Sequence, residues 1–166
     1  MRNLILILLF SVAVSSFAQE KKFEVTETVE ELRAKGYPLN VLEELPMVKG
    51  CESLAGHKGY LAKCMKDQIN FIFAPFMEGA EKVSKGNGVR VYIEFVINQD
   101  GSISAAERVK VSEQDLDEFT RGAFEKFRKK INDEKIFVSP GRVYDRDVNT
   151  LYGVRYLKAF KRAQKQ

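Results

Sequence analysis

The chain has 166 residues, of which 45% are hydrophobic and 11% aromatic, so it is long enough for one compact domain and too apolar to be disordered throughout. Its 27 lysine and arginine residues exceed the 23 aspartate and glutamate residues by four, and the two signs are interspersed. The charges cluster only at the end of the chain, where residues 161–166 form a short basic tail. We interpret this tail as a solvated terminus rather than as a patch that binds nucleic acid or a membrane.

The first eighteen residues have the layout of a secretory signal peptide. Arg2 precedes an apolar run from Leu4 to Val14, and the following segment ends in Ser16-Phe17-Ala18, with small residues at the first and third of these positions. We predict cleavage between Ala18 and Gln19, which places the mature protein in the periplasm or outside the cell. A retained membrane anchor is the alternative, but the run is well short of the ~20 apolar residues that span a bilayer as a helix.

Cys51 and Cys64 are the two cysteines of the chain. In an exported protein such a pair most often forms a disulfide, and this loop would contribute about 3 kcal/mol by restricting the unfolded chain. His57 lies between them and offers an alternative reading as a metal site, but three ligands at irregular spacing fit a metal poorly. We therefore predict a disulfide, with no metal and no cofactor.

The first part of the mature chain, residues 19–45, is predicted to be a leader. It is either mobile or forms a short helix around residues 28–34 that ends at Gly36. The domain itself is predicted to span residues 46–160, because no Pro-rich or Gly/Ser-rich linker divides it.

An amphipathic helix is predicted from Lys58 to Phe73, where apolar residues recur at helical spacing. Pro75 blocks the preceding helical turn, so residues 76–83 should form a separate short helix or turn. A second and stronger apolar stripe predicts a helix from Leu116 to Ile131, with Ser112 as its N-cap.

Between these helices lies the clearest local pattern of the chain. Apolar residues alternate with polar ones, and the alternating set is Val89, Val91, Ile93, Phe95 and Ile97. Residues 98–101 end in Asp100-Gly101, and a weaker alternation continues to Val111. Period-2 alternation around Asp-Gly predicts a β-hairpin, because glycine readily adopts the positive φ that a tight reversal needs.

After the second helix, the sequence predicts a turn at residues 139–141, a polar loop at 145–149 and a last strand from Leu151 to Phe160. A right-handed crossover would bring this strand back parallel to the second hairpin strand, with the first hairpin strand between them. The predicted fold class is therefore α+β, with a small three-stranded mixed sheet packed against helices. Strand 89–97 is central and strand 151–160 lies at an edge.

This arrangement resembles the C-terminal domain of TonB, the periplasmic end of the energy transducer that engages outer-membrane transporters. The matching residues are Pro75, Ala80, Gly88, Val89, Val91, Phe95, Ile97, Asp100, Gly101, Ile103, Val109, Leu116, Asp117, Pro140, Gly141 and Phe160. The segment 46–51 together with Cys64 resembles the stretch that precedes this domain in cysteine-bearing relatives. Two features depart from the family pattern: no membrane anchor with a long Pro-rich spacer is found, and residues 156–160 lack the family's Pro-Ile.

The resemblance implies a non-enzymatic binding module. Its exposed edge strand would accept an extended peptide by β-augmentation, because an edge strand presents unpaired backbone groups. The residues that would contact the peptide are Tyr152, Val154, Arg155 and Tyr156, although the tyrosines and Val154 also fit a purely structural role. The implied partner is an outer-membrane transporter or another envelope protein.

Three other functions remain open at this point. One is an energy-transducing component that retains its N-terminal segment as an anchor, and another is a structural homodimer or envelope subunit built through the same edge. The third is an enzyme, in which Glu94 would be the candidate catalytic acid because it is the only acid in the first hairpin strand. Its place in the alternation predicts a solvated position instead. We expect no enzymatic activity.

Overall fold

A computed structural model describes residues 36–86 and 88–159 of the chain. The predicted signal peptide, the cleavage position between Ala18 and Gln19, the predicted helix at 28–34, Phe160 and the basic tail lie outside the described residues. In chain order the elements are β1 (Tyr37–Pro38), β2 (Met47–Val48), α1 (Lys58–Phe73), α2 (Ala80–Val83), β3 (Gly88–Ile97), β4 (Arg108–Val111), α3 (Leu116–Asp133), β5 (Phe137–Ser139), β6 (Gly141–Val143), β7 (Arg146–Val148) and β8 (Thr150–Ala159).

The fold is α+β, as predicted, with helices packed on a mixed sheet whose strand order is β1-β8-β3-β4. Strand β3 is central and runs antiparallel to both β4 and β8, so β4 and β8 are parallel to each other, as the crossover argument requires. The β3–β8 ladder is the longest among the described strands, with ten residue pairs from Gly88–Ala159 to Ile97–Thr150.

The sheet has four strands rather than the predicted three. The additional strand β1 pairs in parallel with the start of β8, where Tyr37 lies opposite Thr150 and Pro38 opposite Leu151. Two residues cannot show an alternating pattern, which is why the sequence did not indicate this strand.

The predicted hairpin turn is present. Gly101 has a φ of 79° and its N–H donates to the Asn98 carbonyl at 3.0 Å. A Cβ at Gly101 would lie 2.5 Å from the Phe137 carbonyl oxygen, so a glycine is needed there for space as well. The second hairpin strand is shorter than predicted, because the Ser104 hydroxyl accepts the Val96 N–H at 3.0 Å and interrupts the regular ladder.

The hydrophobic core lies between the sheet and helices α1 and α3. Alternating side chains of β3 face it, and an aromatic cluster occupies its centre. Phe95 packs against Phe124 with ring centroids 5.4 Å apart, and Phe73 packs against Phe127 at 5.2 Å. Large buried aromatic side chains contribute most of the stabilisation of a core of this size.

The long helix α3 begins at Leu116, as predicted, but Ser112 is not its N-cap. The Ser112 N–H donates to the Arg90 carbonyl at 2.9 Å, and its hydroxyl accepts the Arg90 N–H at 3.3 Å. Ser112 therefore extends the pairing of β4 with β3. Asp115 stands in the N-cap position without a side-chain capping bond.

The region after α3 contains more strand than predicted. Residues 139–141 do not form a turn, since Pro140 joins β5 to β6, and the predicted polar loop at 145–149 contains β7. Strands β6 and β7 form a hairpin whose tip residues Tyr144 and Asp145 have φ values of 47° and 58°. These strands are three residues long and mostly polar, so alternation could not indicate them.

The predicted leader is also partly wrong, because its last residues belong to the domain. Leu42 is 1% exposed and Leu45 5% exposed, and both pack into the main core. The backbone of Glu44 pairs with that of Arg142 in the β6–β7 region. The folded domain therefore includes residues 36–45 and does not start at Pro46.

Candidate functional site

The cysteine pair forms the predicted disulfide. Cys51 and Cys64 are joined with an S–S distance of 2.08 Å, and Cys51 is fully buried. The bond ties the segment after β2 to helix α1. A disulfide is typical of proteins outside the reducing cytoplasm.

His57 belongs to an exposed aromatic contact rather than to a cluster of metal ligands. Its ring packs edge-on against Tyr60 with centroids 6.2 Å apart, and both cysteine sulfurs are used by the disulfide. Among the residues that the structure describes, no group of three or more His, Cys, Asp or Glu side chains could hold a metal ion.

Within residues 36–86 and 88–159, no helix is both long and apolar enough to cross a membrane.

The side chains of the predicted edge site divide between two faces of β8. Tyr152 is 6% exposed and Val154 1% exposed, and both point into the core, where the Tyr152 ring packs on Phe95 at 5.6 Å. Burial, with a smaller contribution from the charge of Asp67, raises the pKa of the Tyr152 hydroxyl to about 12. These two side chains are therefore unavailable to a partner.

The other two predicted residues remain accessible. Arg155 is exposed on the opposite face of the sheet, and Tyr156 is half-buried on the core side. The structure thus keeps Arg155 as a candidate contact residue and leaves the backbone of β8 as the main candidate binding element.

Backbone hydrogen bonds show which β8 residues point their N–H and C=O groups away from β3. In an antiparallel ladder a residue directs both groups to the same side. The carbonyls of Arg90 and Glu94 accept bonds from the β4 side, so the odd-numbered residues of β3 are the ones that bond to β8. Their partners in register are the even-numbered residues of β8, including Val154 opposite Ile93.

The odd-numbered residues of β8 therefore direct their backbone groups outward. The Asn149 carbonyl, just before β8, agrees with this assignment. It belongs to an odd-numbered residue and accepts the N–H of Tyr37 in β1, on the outer side of β8, at 2.7 Å. Beyond the two β1 pairs, no described strand covers the outer side of β8. We call residues 153–159 of β8 the open edge. Its outward backbone groups come from Gly153, Arg155 and Leu157, and from Ala159 at the end of the strand.

The same odd-numbered residues place their side chains on the sheet face opposite the core, which we call the outer face. It comprises Arg90, Tyr92 and Glu94 of β3, Arg108 and Lys110 of β4, and Gly153, Arg155 and Leu157 of β8. Helices α1 and α3 cover the other face, so the outer face is the one presented beside the open edge.

Tyr92 lies at the centre of the outer face. Its ring covers Gly153, where an added Cβ would meet the ring at 2.5 Å, and the Arg155 guanidinium lies 5.5 Å from its centroid. Its hydroxyl donates to Glu94 at 2.9 Å. Burial and the neighbouring Glu94 carboxylate raise the pKa of Tyr92.

Glu94 is therefore bonded within the outer face rather than freely solvated as predicted. Besides the Tyr92 hydroxyl, it faces the Arg108 guanidinium at 3.6 Å, and its side chain is 17% exposed. Both of its oxygens have protein partners, which gives this carboxylate a structural role in joining β3 to β4.

The prediction from sequence missed Tyr92, Arg90, Lys110, Gly153 and Leu157 as surface candidates. The signal was present in β3, where Arg90, Tyr92 and Glu94 alternate with the apolar core residues. What the sequence lacked was the register, which brings Arg155 and Lys110 to either side of Tyr92.

No protein-family model, no curated protein and no solved structure matches this chain.

Proposed function

We propose that this protein is an exported, TonB C-terminal-like binding module that captures an extended peptide at the open edge of β8. The observation that carries the proposal is the free row of outward backbone groups at Gly153, Arg155 and Leu157. An unpaired strand edge of this length offers the donors and acceptors that a peptide needs in order to add as a further strand.

Two further features support the proposal. The order of helix, hairpin, helix and strand, with β3 in the centre, is the order expected from the resemblance to the TonB domain. The disulfide fits a domain that works outside the cytoplasm, where an envelope or outer-membrane transport protein would supply the peptide.

The direction of the backbone groups selects the variant that tests the site. Proline at Val154 would remove an N–H that bonds to β3 and would break the central ladder. Proline at Leu157 removes an outward N–H and leaves the pairing with β3 intact. Leu157→Ala is the matched control, because it removes the same exposed side chain and keeps the N–H.

We therefore suggest selecting binders from a display library of nine-residue peptides with the chain that starts at Gln19. Binding should persist in Leu157→Ala and be lost in Leu157→Pro, with both variants folded by circular dichroism. In the wild type, a bound peptide should slow amide hydrogen exchange at Gly153, Arg155 and Leu157 more than at Val154. Binding that survives in Leu157→Pro would refute capture at the open edge. Equal slowing of amide exchange at Val154 and at its odd-numbered neighbours would refute it as well.

A further inference from the structure

The outer face beside the open edge carries an excess of positive charge. Four cationic side chains, Arg90, Arg108, Lys110 and Arg155, share this face with one carboxylate, Glu94. Glu94 already faces Arg108 and the Tyr92 hydroxyl. Within the described chain, the other three cations have no ion-pair partner.

The carboxylate that borders this face does not neutralise it. Glu113 follows β4, and its oxygens accept the Ser84 hydroxyl at 2.6 Å and the N–H groups of Lys85 and Gly86 at 2.8 and 3.0 Å. These bonds hold Glu113 on the loop that leads into β3. The cations nearest the open edge therefore lack an acidic partner of their own.

A strand added at the open edge would place every second side chain on the outer face. In an antiparallel ladder, a residue that exchanges both backbone bonds with Arg155 also has its side chain beside that of Arg155, at about 5 Å between Cβ atoms. The guanidinium of Arg155 lies over the Tyr92 ring, 5.5 Å from its centroid, and this contact favours one position of the side chain before a peptide arrives. Arg90 lies next along the same face, opposite Leu157 in the ladder.

We propose that the peptide captured at the open edge is acidic, with Asp or Glu at the positions opposite Arg155 and Leu157, the second of which is the peptide position nearest to Arg90. This inference rests on the proposed function, because it assigns the chemistry of the peptide that adds to β8. Charge complementarity is the reason for it: a carboxylate opposite Arg155 gains a cross-strand ion pair, whereas a lysine at that position lies beside a like charge.

The probes are three nine-residue peptides in which threonine alternates with glutamate, glutamine or lysine. Binding to the chain that starts at Gln19 is measured by fluorescence anisotropy at low and at physiological salt. The glutamate peptide should bind most tightly and the lysine peptide most weakly, with each step about fivefold to tenfold at low salt and smaller at physiological salt.

Two charge reversals locate the effect. Arg155→Glu should invert the order, so that the lysine peptide binds more tightly than the glutamate peptide. Arg121→Glu on α3 changes the net charge equally, away from the outer face, and should leave the order unchanged. If the order of peptide binding changes in the same way in Arg155→Glu and in Arg121→Glu, it depends on net charge alone, which would overturn the assignment to Arg155.

The outcomes also separate this inference from the proposed function. Equal binding of all three peptides that is lost in Leu157→Pro would overturn the acidic preference and leave edge capture standing. Charge-ordered binding that survives in Leu157→Pro would mean that the outer face binds acidic chains without strand addition, which overturns both as stated. Absence of binding by all three peptides at millimolar concentration also counts against both.

Discussion

The side chains from Thr150 to Val154, the first half of β8, are buried or half-buried, and β1 lies on the outer side of the first two of these residues. Residues 155–159, the second half, which form most of the open edge, are mostly exposed and have no described strand on their outer side. Both halves pair equally well with β3. The difference teaches that one strand can serve two purposes: its first half holds the core together and its second half offers a surface. Variants in the two halves should therefore have opposite effects on stability and on binding.

The largest contrast is expected between Tyr152→Ala and Leu157→Ala. Tyr152 is 6% exposed and packs on Phe95, so its truncation should lower the free energy of unfolding by about 3 kcal/mol. Leu157 is 72% exposed, and its truncation should change the free energy by less than about 0.5 kcal/mol. Urea unfolding followed by circular dichroism measures both values, and similar losses would remove the distinction between the two halves.

The disulfide should support the covered half more than the open one. It anchors α1 at Cys64, near the middle of the helix, and α1 packs on the core side of β8. Replacing Cys51 and Cys64 together by serine should lower the free energy of unfolding by about 3 kcal/mol. Hydrogen exchange should accelerate more at Tyr152 and Val154 than at Leu157.

The wild type in reducing buffer is the matched comparison for this variant. It should lose a similar amount of stability, since it lacks the same cross-link. A loss below about 1 kcal/mol in both would mean that the loop is held mainly by packing.

Gly153 marks the boundary between the halves, and Gly153→Ala should cost about 1–2 kcal/mol. The new Cβ would lie 2.5 Å from the Tyr92 ring, which would have to leave Glu94 and Arg155. In a Tyr92→Ala background the same substitution should cost less than about 0.5 kcal/mol, because the clash is gone. Equal costs in the two backgrounds would place the strain in the backbone of Gly153 instead.

The smallest effect concerns pH and the loop beside the open half. Hydrogen bonds from the Ser84 hydroxyl and then from the Lys85 and Gly86 N–H groups hold the pKa of Glu113 below its usual value. A lowered pKa in the folded state stabilises the fold above the ordinary carboxyl pKa, and this contribution is lost as the pH falls through the lowered value.

Glu113→Gln should therefore be less stable than the wild type at pH 7, and the difference should shrink as the pH is lowered to 3. Urea unfolding at the two pH values measures it. Glu107→Gln, which removes an exposed carboxyl just before β4, is the control and should show little difference at either pH. A Glu113→Gln effect that persists unchanged in acid would contradict this linkage.

Strong periodicity accounts for what the sequence predicted well. The apolar residues of β3, α1 and α3 recur regularly over ten or more positions, so the type and place of these elements followed from the pattern. The central place of β3 followed from the handedness of the crossover. The disulfide prediction followed from the predicted export signal, because a cysteine pair outside the cytoplasm most often forms a disulfide.

The features that escaped prediction depend on contacts between distant parts of the chain. Ser112 has the chemistry of an N-cap, but its pairing with Arg90 could be known only from the sheet register. Strands β1, β6 and β7 are two or three residues long, and tertiary pairing rather than local preference defines them. The outer face likewise depends on register, since Tyr92, Lys110 and Arg155 are far apart in sequence.

The parallel pairing of β1 with β8 also determines how the fold would carry a mechanical load. Gly36 lies beside the first residues of β8 and Ala159 ends it, so these two points are separated along the strand by about 30 Å at ~3.3 Å per residue. A tension applied between them acts along the strand direction. It would load the ten pairs between β8 and β3 together in shear, and would not open them one after another.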